Sequence, residues 1–126
     1  SNVLISLAVE LRTLEYGQRL RDRRRNRLAA PGRSIGRTLF EASLVGGQQA
    51  GGVAVGRDDR VVLASDAIEL VGRTGDGLLD ALIFASGRSL VSEVWAGGRK
   101  VVEGGRHIGR AMAELHFAKV MARLMA

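Results

Sequence analysis

The sequence has no cysteine, which excludes a disulfide framework and any thiolate metal site and suits a reducing, cytoplasmic setting. Aromatics are scarce, with one Trp, one Tyr and three Phe in 126 residues, while glycine occurs 17 times. That stock fills a thin core of small aliphatics, so the chain is expected to be less than a self-sufficient fold, although its length would suit one domain. No apolar run approaches the roughly 20 residues needed to span a bilayer. The opening SNVLISLAVELR lacks a basic segment followed by an unbroken apolar one, the order of a secretory signal. A soluble chain with no membrane partner is the expectation.

Histidine is nearly as rare. His107 and His116 are nine residues apart. On one helix this spacing turns them roughly 180° from each other, so they cannot share a metal. Asp58-Asp59 and the Asp76, Asp80 pair have no histidine or nucleophile at useful spacing. Neither a catalytic constellation nor a metal-ligand set is therefore readable in this chain.

Positive charge is in excess. The formal charge is +6, and much of it lies in Arg19 to Arg27, RLRDRRRNR. Such a block can neutralise phosphates, but no aromatic interleaves with it to stack on bases, and no helix-turn-helix or zinc pattern accompanies it. A solvated face, or arginines paired with carboxylates, is the expected role, and nucleic acid is not an expected partner.

Local patterns give the elements. Leu90 to Gly105, LVSEVWAGGRKVVEGG, reads as two strands joined at Gly97-Gly98, because a glycine pair supplies the positive φ angles that two-residue hairpin turns need. Val61 to Leu63 is an unbroken apolar strand, expected to be buried on both faces and to pair with that hairpin. Val3, Leu4, Leu7, Ala8, Leu11 and Leu14 follow helical spacing, with Ser1 and Asn2 as N-cap residues and Leu20 and Leu28 extending the helix until Pro31-Gly32. Ser34 caps a second helix through Ile35, Leu39 and Ala42, and Gly46-Gly47 and Gly51-Gly52 punctuate its end. GGQQAGG has neither the lysine of a P-loop nor a preceding strand, so it is a helix end rather than a phosphate cradle. Val53 to Val55 is a short apolar stretch and Gly56 to Asp59 a turn. Asp76 is placed as the N-cap of a short helix ending near Gly87, with a strand over Leu82 to Ala85 as the alternative. Ile108, Met112, Leu115 and Met121 to Leu124 lie on a C-terminal helix whose methionines are packing residues.

Taken together, SNVLISLAVELRTLEYGQRLRDRRRNRLA and GRTLFEASLVGGQQAGG resemble the C-terminal part of amidohydrolase-superfamily enzymes, in particular the formimidoylglutamate deiminases. The likeness extends through Leu14 to Leu28, Val55 to Leu63 and the VWxGGRxVV hairpin of Val91 to His107. One departure is DDRVVLA where ADLVVLD is usual, which keeps Asp59, puts Arg60 at an apolar position and leaves Ala64 without a carboxylate. The resemblance implies an α/β fold: the C-terminal portion of a TIM-barrel metal-dependent hydrolase, strands of its small β-sandwich and a C-terminal helix. Residues 1–52 would close the barrel, residues 53–105 would form sandwich strands and hairpin with a short helix near 76–86, and residues 106–126 the last helix.

In the family a divalent metal, usually zinc, is held by an HxH pair, two further histidines and an aspartate in a GSDS-like strand end. Ser1 and Asn2 match the residues just after that aspartate. They are therefore the substrate-proximal positions, in a positional sense only, with no catalytic residue and no metal ligand in this chain. For the complete enzyme the resemblance implies hydrolysis of N-formimino-L-glutamate to N-formyl-L-glutamate and ammonia in histidine degradation. It also implies docking to the remainder of the barrel and a homodimer in the cytoplasm. The competing reading from the residues is a non-catalytic basic module that binds nucleic acid or an acidic protein.

Overall fold

The structure, a computed structural model, describes residues 5–52, 54, 56 and 58–126. The chain divides into two compact units, Ser1–Ala54 with Ser65–Arg88, and Val55–Ala64 with Ser89–Ala126. The first is helical and the second carries an antiparallel sheet and a helix. The sequence groups residues 65–88 with the sandwich; the structure places them with the helices, because the short helix near 76–86 packs on the second helix.

In the helical unit, α1 spans Leu7–Asp22. Its N-cap is Ser6, whose hydroxyl accepts a hydrogen bond from the Val9 N–H at 3.4 Å. Ser1, Asn2, Val3 and Leu4, where the sequence places the helix start, lie outside the described residues. The helix does not run on to Pro31-Gly32. Arg23 turns into the left-handed region at φ 50° and ends α1 at Asp22, so Leu28 reaches the core from a loop. Leu20, expected to extend the helix, does lie on α1 but is 82% exposed.

Helix α2 spans Ile35–Gly51 with Ser34 as N-cap, its hydroxyl accepting from the Arg37 N–H at 3.1 Å. It runs through Gly46-Gly47 and stops only at Gly52, where φ is 65°. Helix α3, Asp76–Asp80, continues as a π-helical turn over Ala81–Ala85, which settles the choice between helix and strand there. The core of the unit is Ile35, Leu39 and Ile83, with Leu11, Leu28 and Phe84 packed around it.

In the second unit four antiparallel strands stand in chain order: β1 Arg60–Leu63, β2 Val91–Ala96, β3 Arg99–Glu103 and β4 Arg106–His107. Val61 faces Val94, and Val94 faces Val102. Both tight turns are glycine pairs with positive φ, 56° and 74° at Gly97-Gly98 and again at Gly104-Gly105, the geometry that follows strand twist. Two expectations are corrected. β1 is an edge strand with Val61 60% exposed, so it is not buried on both faces. The chain after Gly105 first forms β4, and only then α4, Arg110–Leu124. None of the residues of α4 is buried, so its methionines are not core residues of this chain. Among the described residues no helix is long and apolar enough to cross a membrane.

Candidate functional site

The polar side chains are best followed from the helix ends, where backbone groups lack intrahelical partners. The N-terminus of α2 is closed from two directions. Besides the Ser34 cap, Asp76 accepts from the Ser34 N–H at 3.2 Å and Asp80 from the Gly36 N–H at 2.7 Å. Asp76 is thus not the N-cap of α3, which starts after Gly75 with no side-chain cap; its carboxylate serves the neighbouring helix. Arg37 Nε donates to the other Asp76 oxygen at 2.8 Å, and this guanidinium, with the Ser34 N–H, holds the Asp76 carboxyl below the usual carboxylate range. The approach requires glycine at 36. A Cβ there would lie 2.5 Å from Asp80 Oδ1 and 2.7 Å from the Leu79 carbonyl carbon.

Near the middle of α1 sits Glu15, fully buried. It accepts from Arg19 Nε at 2.7 Å, from the Arg27 N–H at 3.2 Å and from the Leu28 N–H at 3.1 Å. Burial alone would raise its pKa. The bonds from Arg19, Leu28 and Arg27 outweigh that and leave it lowered, so the buried carboxylate is ionised and ties the loop after α1 back onto the helix. The arginine block is partly occupied in the same way. Arg19 also lies over the rings of Tyr16 and Phe84, and Arg21 and Arg27 both pair with Asp22, whose pKa they lower to about 2.

In the sheet unit Asp59 accepts from the Gly97 N–H at 2.7 Å and the Gly56 N–H at 2.9 Å, bonds that lower its pKa and pin the hairpin turn to the segment before β1. Trp95, half-buried on β2, lies between its two cross-strand neighbours: Arg60 stands 4.0 Å from the ring centroid and Lys100 5.3 Å. Glu93 completes this face, accepting from Trp95 Nε1 and Lys100 Nζ. Arg60 at a position usually apolar in the family therefore stacks on the tryptophan.

The two histidines are on different elements, His107 on β4 and His116 on α4, which corrects their placement on one helix. His107 Nδ1 accepts from the Gly109 N–H at 3.0 Å. Among the described residues no three His, Asp or Glu side chains gather where they could hold a metal ion. Ser1 and Asn2, the positions named as substrate-proximal, are outside the described residues. The bonded carboxylates Glu15, Asp22, Asp59 and Asp76 all have lowered pKa values. Groups held in the ionised form by fixed donors are anchors, not proton shuttles near neutrality. The apolar spacing of α1 does not single out Glu15; the one local hint to its role is Arg19 four residues on, at ion-pair spacing.

No family model matches the chain. Over 132 aligned residues it is 46% identical to a formimidoylglutamate deiminase from Pseudomonas aeruginosa, an alignment covering 99% of this chain and 29% of that protein. Among solved structures, an amidohydrolase from Brucella melitensis matches with a TM-score of 0.85 and 45% identity, again over 99% of this chain and 29% of the other. The chain spans less than a third of the length of either relative.

Proposed function

We infer that this chain, which belongs with the amidohydrolases, is the C-terminal segment of a metal-dependent deiminase that hydrolyses N-formimino-L-glutamate to N-formyl-L-glutamate and ammonia. The observation that carries the reading is 46% identity to a formimidoylglutamate deiminase along almost the whole chain, with the same fold recurring in an amidohydrolase structure. In this reading α1 and α2 close the end of a TIM barrel, the four strands belong to the family's small sandwich, and catalysis takes place at the C-terminal ends of the barrel strands. Ser1 and Asn2 are the positions of this chain that approach that face.

The described residues do not fit a divalent metal. Zinc or another divalent ion is the proposed cofactor of the complete enzyme, where it supplies a bound water of lowered pKa. This chain supplies rigidity instead. Glu15 ties the loop after α1 back onto that helix, and Asp76 and Asp80 lock α3 to the start of α2. A homodimer, the cytoplasm and a role in histidine degradation belong to the same proposal. The basic-module alternative is weakened because Arg19, Arg21 and Arg27 are engaged with the α1 carboxylates Glu15 and Asp22.

The test is a chimera in which these 126 residues replace the matching segment of the Pseudomonas aeruginosa enzyme. It is expected to fold, by circular dichroism and a cooperative melt, and to release ammonia from N-formimino-L-glutamate at a rate comparable with the parent. A folded, metal-replete chimera that leaves this substrate intact would overturn the assignment.

A further inference from the structure

We draw no further inference here: the strongest candidate, the exposed apolar face of α4 carrying Phe117, Val120 and Leu124, is an unpartnered helix face, and nothing in the structure shows what covers it.

Discussion

Replacing Glu15 by alanine should release the loop that follows α1. The carboxylate is fully buried and is the acceptor for two backbone N–H groups, those of Arg27 and Leu28, as well as for Arg19. Removing it strands both amide donors. An unsatisfied buried donor costs roughly 1–3 kcal/mol, and the low end applies here because the Arg27 and Leu28 bonds are only part-buried, so together they cost about 2 kcal/mol. The Arg19 side chain is 30% exposed and water can replace its lost partner, so it adds little. At about 1.4 kcal/mol per decade, 2 kcal/mol makes the loop open roughly 30-fold more often.

Hydrogen exchange of the peptide spanning residues 23–30, followed by mass spectrometry in the chimera, reads that opening directly. Glu15→Ala should speed exchange at the two amides about 30-fold, and Glu15→Gln, which keeps one oxygen acceptor, should have a smaller effect. A pH dependence follows as well. Because the folded pKa of Glu15 is lowered, its contribution is complete above the ordinary carboxylate value of 4.5 and is lost as pH falls through the lower folded value. Protection of the wild-type loop should therefore hold from neutrality to about pH 5 and fade only in stronger acid. Equal exchange in wild type and Glu15→Ala would refute the anchoring role.

Other perturbations separate the remaining contacts. Gly36→Ala should lower the melting temperature through about 1–3 kcal/mol of overpacking, since the new methyl meets backbone atoms of Leu79 and Asp80. Gly17→Ala, in a helix position with nothing within 4 Å, should raise it through up to about 1 kcal/mol of helix propensity; the same sign at both sites would discredit the packing of α2 on α3. Asp76→Asn should lower the melting temperature at pH 7. The gap to wild type should close as pH falls below the ordinary 3.8, because a carboxylate of lowered folded pKa contributes above that value and is neutralised beneath it; a gap constant down to pH 2 would mean that charge is not what Asp76 provides. Titration of the chain with duplex and single-stranded DNA at rising salt should show weak binding that vanishes at physiological ionic strength, and tight binding there would revive the basic-module reading.

What the sequence made legible was what short-range chemistry specifies. Ser34 begins α2 because its hydroxyl reaches a donor three residues on, and Gly97-Gly98 turns the hairpin because both residues need positive φ. Gly104-Gly105 carries the same signal, and it places Arg106 and His107 on a further strand instead of the start of the last helix. Other features had no local signature. Asp76 and Asp80 cap a helix whose N-terminus lies 42 and 44 residues earlier in the chain. Arg23 ends α1 in a left-handed conformation with neither glycine nor proline to announce it.

The remaining misreadings share a physical cause. Val61 to Leu63 is written as a strand buried on both faces, yet β1 is an edge. Helix α4 presents Met112 and Leu115 on one side and Phe117, Val120 and Leu124 on another, a distribution that belongs to buried helices, and Phe117 is 67% exposed. Apolar periodicity records the burial a segment needs in its working fold, and these two elements are patterned for more burial than 126 residues provide. Relatives of more than three times the length carry a matching segment at 45–46% identity. The sequence thus over-predicted the core at the same elements where a segment cut from a larger amidohydrolase would expose contacts made for the whole.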